Sequence, residues 1–560
     1  MLQMYFATLL IGAVIMWLIL GKGRSTALKN IPGPKRHFFR GHAWQFYGPK
    51  RNQQILEWAE KFGPIFKLNI FGKYHVVVTD PDRAKDILSH PNLVKFESLC
   101  VSYNEIFHVD AQGGLATSVS SDAAWKVTRT ALSHAFTKEE ALHSLEVSKV
   151  AAMSLGQHLL SKGDGVATDM VTECLRYSLD VLGVAQLGYN FKALGGNGQH
   201  LVLKLMKDCG KEWRARRLNP RRKYLGWLVD AWADGQRGYR VMHDFIRALL
   251  LDIRDREDVP SEYQCVWAQL ARMRDPSTSQ PIHQDMFLGE LGGILLAGHE
   301  PVGQTLAWCL KLLANHPDCQ EKLSKDLVEF GVMKGPLKAL TLEALSDKLP
   351  YLDAVLREAL RLFPTGCEGM ARVVSKGPLH VGGGVTLDKG TVVWVHPYTM
   401  HRSKKLWGLD AESFKPERWV EDGLSSPDTV NQDAKYDGFN TLVAARKIAS
   451  ETDTNKSKTD KPNKDVATGD STTKDVEPIA ATSDRPCSSA RDAFMPFGFG
   501  PRSCLGQKAA QATLKAALAI LITYFKFEPV VEEMMPYNEA ASITLELESG
   551  KLPLLITARF

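Results

Sequence analysis

One ten-residue stretch constrains this chain more than any other: Phe497-Gly498-Phe499-Gly500-Pro501-Arg502-Ser503-Cys504-Leu505-Gly506. It leads into Leu505 to Phe525, which has few breakers, many alanines and an apolar stripe, so a helix is predicted there. Cys504 then lies just ahead of the helix, where free N–H groups and the positive dipole end favour a thiolate. The thiolate is the form in which cysteine binds a soft metal such as iron. Gly500 can adopt a backbone angle barred to other residues, as a tight turn around the sulfur requires. Gly506 lets the helix start lie close to a flat cofactor, and Phe497 can shield the sulfur from water. Arg502 brings fixed charge and forked donors suited to a carboxylate. A lone cysteine in a glycine-rich turn would read as a small buried residue; the whole pattern reads as a ligand loop.

The rest of the chain supplies the setting. Its 560 residues are 44% apolar and 24% charged, as in a globular protein, and the formal charge of +6 does not demand nucleic acid. The nine cysteines are odd in number and form no C-x-x-C pair, which argues against a disulfide scaffold or a zinc cluster. Residues 2–20 are almost wholly apolar and uncharged, followed by Lys22, Arg24 and Lys29. That pattern predicts a retained transmembrane anchor over 1–21 with the body facing the cytosol. Residues 22–34, ending in Ile31-Pro32-Gly33-Pro34, form a basic, stiff hinge. The catalytic body is then 35–560, broken by an insert at about 440–489. The Ser450–Ser489 part of that insert is rich in Thr, Ser, Asp and Lys, lacks aromatic residues, and is expected to be disordered.

Within the body, helical patterns dominate, with small β elements. Residues 65–70 and 75–79 read as a hairpin turning at Gly72, and 373–395 as β-like. Met286 to Asn315 reads as one long apolar helix containing Ala297-Gly298-His299-Glu300-Pro301. His299-Glu300 approaches a zinc-protease signature, but Gly303 occupies the second ligand position, so that site is rejected. Glu358 and Arg361, three apart on a helix, share a face. Trp125 and Arg129 lie one turn apart and can present an indole N–H and a guanidinium to a common acceptor.

Phe497–Gly506 resembles the haem-ligand loop of the cytochromes P-450 at every defined position. Glu358-Ala359-Leu360-Arg361, Phe414-Lys415-Pro416-Glu417-Arg418-Trp419 and Trp125-Lys126-Val127-Thr128-Arg129 resemble three further motifs of that family, in its order. The resemblance implies a mainly α fold with small β-sheets (α+β) and haem b held by Cys504. It implies haem contacts from Trp125, Arg129, Arg372, Phe497, Arg502 and Gly506, and a bracing network of Glu358, Arg361 and Arg418. Ala297, Gly298, Glu300 and Pro301 fall in the oxygen-binding segment, with small Ala297 and Gly298 leaving room for O₂. Pro301 stands where the family has a threonine. It should kink the helix and free the carbonyl of Ala297 to hold a water, with Thr305 a weaker substitute.

The implied activity is insertion of one atom of O₂ into an apolar small molecule, in secondary metabolism of fungal type. Electrons would come from NADPH-cytochrome P-450 reductase, with room for cytochrome b5, at the endoplasmic reticulum membrane. Substrate contacts are expected between Phe96 and Asp122 and near 190–230, where basic and aromatic residues from Lys211 to Trp227 suit a membrane surface. Two alternatives stay open: a reductase-independent isomerase or dehydratase, and a haem-bearing lipid or steroid binder without turnover.

Overall fold

The computed structural model describes residues 12, 28–35, 41–70, 72–96, 115, 123–196, 200–219, 222, 230–255, 264–275, 278–366, 369–381, 384–421, 490–530, 539–541 and 544–560. The proposed anchor, apart from Gly12, and the proposed insert lie outside them. Among the described residues no helix is long and apolar enough to cross a membrane.

The strands are β1 Ile65–Ile70, β2 Lys73–Val78, β3 Leu93–Lys95, β4 Val166–Asp169, β5 Met370–Val374, β6 Leu379–His380, β7 Thr386–Leu387, β8 Val392–Val395, β9 Phe525–Pro529, β10 Glu539–Ala541, β11 Leu545–Leu547 and β12 Pro553–Ala558. The helices that shape the site are α1 Arg51–Phe62, α2 Ala123–Ser133, α3 Lys138–Ser161, α4 Met170–Leu182, α5 Gln284–Asn315, α6 Pro350–Leu362, α7 Pro397–His401 and α8 Gln507–Tyr524. This is the expected α+β composition. The predicted hairpin forms as β1 and β2, antiparallel from Ile65 against Val78 to Ile70 against Lys73. It continues into a five-stranded sheet ordered β1-β2-β8-β5-β3. The segment 373–395, with the three residues before it, supplies β5 to β8, and the C-terminal strands β9 and β12 join β4 in a three-stranded sheet, β4-β12-β9.

The core is helical. Leu306, Trp308, Leu310 and Leu313 of α5 are buried in one cluster with Ala516, Leu518 and Leu521 of α8 and Val355 and Leu356 of α6. Helix α5 crosses α4 at two glycines. A Cβ on Gly303 would meet Cα of Leu175 at 3.0 Å and Oγ of Ser178 at 2.9 Å, and one on Gly298 would meet Cδ1 of Leu182 at 2.5 Å. The smallness of Gly298 therefore serves helix packing. Helix α5 runs without interruption through Pro301.

Candidate active site

The ligand loop is built from backbone bonds. The N–H of Cys504 donates to the carbonyl of Phe497 at 2.9 Å, and that of Ser503 to Gly500 at 2.9 Å. Gly500 has φ +72°, and a Cβ there would strike the carbonyl oxygen of Leu88 at 2.7 Å, so the turn needs glycine on both counts. Helix α8 begins at Gln507 with Gly506 as its N-cap, so a turn separates the sulfur from the helix. Cys504 is solvent-accessible. Protein nevertheless encloses it closely enough for desolvation to push its thiol pKa up, against lowering by the Gly506 N–H and Arg129. The Gly506 N–H and Arg129 favour the thiolate, as expected for the turn ahead of α8, and a bound metal would add to them. An accessible yet desolvated sulfur faces an internal hollow.

Helix α5 borders such a hollow. Between Leu291 and Ala314 its incompletely buried residues are Gly293, Ile294, Ala297, Gly298, Glu300 and Pro301. They recur at three to four residues, as one stripe of a helix otherwise sunk in the core. Loop and helix are neighbours: Leu505 packs onto the apolar cluster that contains Leu291 and Leu295. Leu115 ties them together: its N–H donates to Oε1 of Glu290 at 2.7 Å, and its carbonyl accepts from Nη1 of Arg502 at 2.8 Å. Glu300 accepts from Oγ1 of Thr544 at 2.7 Å, so the acid of the stripe is held by the β10–β11 turn. Thr305 donates to the carbonyl of Pro301 at 2.7 Å and lies 3.3 Å from the hydroxyl of Thr365; its hydroxyl is engaged by protein. Sequence reasoning missed Thr544, and no local signal links it to a residue so distant in the chain.

The rim beside the cysteine is cationic. The guanidinium of Arg502 lies 4.0 Å from the ring centre of Trp125, and that of Arg129 lies 5.8 Å from it. Arg129 also donates to the carbonyl of Ser503 at 2.9 Å. Arg372 shares a face of β5 with Met370, whose sulfur approaches Gly498 of the loop. Burial lowers the pKa of Arg372 to about 10, and among the described residues no carboxylate pairs with it. The indole Nε1 of Trp125 is buried without an acceptor. A buried donor and a buried cation beside one loop fit a carboxylate-bearing cofactor. The structure brings Trp125, Arg129 and Arg502 together beside Cys504, with Arg129 and Arg502 bonded to backbone carbonyls, and sets Arg372 on the strand whose Met370 meets the loop.

Behind the loop, Glu358, Arg361 and Arg418 form one network. Glu358 takes Nε and Nη2 of Arg361 at 2.8 Å each, Nε of Arg418 at 2.9 Å and Nε1 of Trp419 at 2.9 Å. Glu358 and Arg361 are fully buried. Arg361 satisfies its remaining donors on the carbonyls of His401, Ala411 and Ser413. Part of the basic 211–224 stretch folds inward: Arg216 and Arg222 both donate to buried Glu212, at 3.0 and 2.7 Å. The side chains of Trp213, Arg214 and Arg217, and the residues Arg221, Lys223, Tyr224 and Trp227, lie outside what is described.

A family model described as Cytochrome P450 matches residues 31–439 and 482–554. The chain belongs to the cytochrome P450 family. Cytochrome P450 714C3 of Oryza sativa subsp. japonica is 25% identical over 97% of this chain and 95% of its own length. Cytochrome P450 monooxygenase 128 of Postia placenta is 24% identical over 95% and 93%. A self-sufficient cytochrome P450 monooxygenase, CYP505E5 of Aspergillus kawachii, is 24% identical over 71% of this chain but only 37% of its own length. This P450 is thus a monooxygenase that uses O₂, and its haem iron is bound by a thiolate.

Proposed function

We propose that this P450 holds haem b through Cys504 and inserts one oxygen atom of O₂ into an apolar small molecule. The observation that carries the assignment is Cys504, accessible in a loop whose turn admits only glycine at 500, beside the unpaired indole N–H of Trp125. Trp125, Arg129, Arg372 and Arg502 would hold the haem carboxylates, with Phe497 and Gly506 flanking the sulfur. When bound, the haem supplies reductive activation of O₂. Balance requires two electrons and two protons for each oxygen atom inserted, with the other atom leaving as water. The chain's own residues exclude water, hold the substrate and move protons. Ala297 and Ile294 give the stripe an apolar surface, which favours an apolar substrate. Glu300 is the ionisable group of that stripe, and Pro301, lacking an N–H, leaves the carbonyl of Ala297 without its helical donor. We assign Glu300 and a water on that carbonyl to proton delivery.

The apolar run 2–20 with Lys22, Arg24 and Lys29 supports a single-pass anchor in the endoplasmic reticulum, with the body in the cytosol. A separate NADPH-cytochrome P450 reductase, with cytochrome b5 as a further donor, would supply electrons there, and the pathway would be secondary metabolism. The test is Cys504→Ser in the full chain. The reduced, carbon-monoxide-bound spectrum should lose its thiolate character, and reductase-dependent oxygen consumption should stop. An unaltered spectrum would refute the assignment.

A further inference from the structure

We infer that His401 is a positioning residue that transmits the buried Glu358–Arg361–Arg418 network to the cysteine loop. This rests on the reading of Cys504 as the haem ligand. His401 is fully buried at the end of α7. Its carbonyl accepts from Nη1 of Arg361 at 2.8 Å. Its ring Nε2 accepts the backbone N–H of Met495 at 3.0 Å. Met495 lies two residues before Phe497, whose carbonyl accepts the N–H of Cys504. One residue therefore joins the carboxylate–guanidinium network to the strand of chain that carries the sulfur. Phe494 packs beside the same ring at a centroid distance of 5.5 Å and against Trp419 at 4.7 Å, so the loop's approach is held by apolar as well as polar contact.

The bond to Met495 works only with a neutral ring. An imidazolium has a proton on both nitrogens and could not accept an N–H. Burial keeps the ring neutral, lowering its pKa to about 3 with the nearby charges of Arg361 and Arg402, against the carbonyls of Arg361 and Leu360. The proton then resides on Nδ1, an assignment made from the hydrogen-bond partners. The network thus fixes the backbone at His401 by its carbonyl, while burial, with the charge of Arg361 as a lesser cause, keeps Nε2 an acceptor. Without that acceptor, Met495 would carry a buried N–H with no partner, which a shift of the loop toward water would relieve.

The test uses His401→Phe, which keeps the ring and its packing but removes the acceptor, and His401→Gln, whose side-chain oxygen can reach the same N–H. Tyr177→Phe is the control. It removes another buried bond, the hydroxyl donated to Thr513 at 3.0 Å, away from the loop. Each full-length holoprotein is measured for rate of haem loss, carbon-monoxide spectrum of the reduced form and midpoint potential. His401→Phe should lose haem roughly tenfold faster or more, with part of the population in a non-thiolate spectrum. His401→Gln should restore both toward the parent, and Tyr177→Phe should leave the spectrum unchanged. Parent-like haem loss and spectrum in His401→Phe would overturn the inference, as would an equal spectral change in Tyr177→Phe. If His401→Phe does not accumulate as folded protein, His401→Gln decides: a parent-like spectrum and potential support the inference, and a non-thiolate spectrum overturns it. A parent lacking thiolate character would instead sink the Cys504 reading itself.

Discussion

Trp125 keeps a polar group at a cost to the protein alone. Its indole N–H is buried without an acceptor, beneath the guanidinium of Arg502. An unpaired buried donor costs about 1–3 kcal/mol, whereas trimming the ring to phenylalanine forfeits packing of similar size. Trp125→Phe should therefore shift the stability of the haem-free protein by less than about 1 kcal/mol. It should nevertheless weaken haem retention, because the donor proposed for the haem carboxylate is gone. Denaturant melts of the haem-free form alongside haem-transfer kinetics would check this; a large loss of stability with normal haem retention would contradict it. Part of this neighbourhood was legible in the sequence, since Trp125, Arg129 and Arg502 lie together beside the Cys504 loop. Their bonding was not. Arg502 reaches Leu115 and Arg129 reaches Ser503, partners fixed by how distant segments pack.

At the level of elements, local periodicity carried the reading well. The β1–β2 hairpin, the long α5 and the loop ahead of α8 all lie within short windows of sequence. What escaped is contact across the chain: the hydroxyl of Thr544 on Glu300, or the ring of His401 under Met495, leaves no trace in local pattern. The glycines of α5 illustrate the same limit, because their meaning depends on α4. A methyl at Gly298 would meet the movable end of the Leu182 side chain, whereas one at Gly303 would meet the Cα of Leu175. Backbone cannot step aside as a side-chain tip can. Gly303→Ala should thus destabilise by about 1–3 kcal/mol, while Gly298→Ala should cost less, since alanine also favours helix. Thermal unfolding of the two variants provides the comparison, and an equal or reversed order would show that α4 and α5 do not pack this closely.

For the molecule as a whole, burial of titratable groups sets how acid tolerance should behave. His75 and His299 have pKa values lowered to about 4, and His396 and His401 to about 3, in each case chiefly by desolvation. Their value when unfolded is near 6.5, so below that pH the unfolded chain binds protons that the folded one refuses. Stability contributed by their neutral state is present above pH 6.5 and is lost as pH falls toward 3–4. Each contributes about 1.4 kcal/mol per pH unit across its window, so four amount to roughly 5.5 kcal/mol per unit. Glu290 acts in the opposite sense: burial raises its pKa to about 7, against the Leu115 N–H and Lys95, so the folded state is the one that keeps a proton between about 4.5 and 7. Glu539, also raised by burial, joins it. These four histidines outweigh the two acids, so stability is lost on balance as pH falls below 6, by enough to matter against a total of about 5–15 kcal/mol. Denaturant midpoints should therefore fall steeply between pH 6.5 and 5. Glu290→Gln retains an oxygen for the Leu115 N–H but cannot take up the proton, so its decline should be steeper than the parent's by about 1.4 kcal/mol per unit. A midpoint that stays flat over that range would mean these histidines are not held neutral in the core, and a variant slope equal to the parent's would mean Glu290 does not hold its proton there.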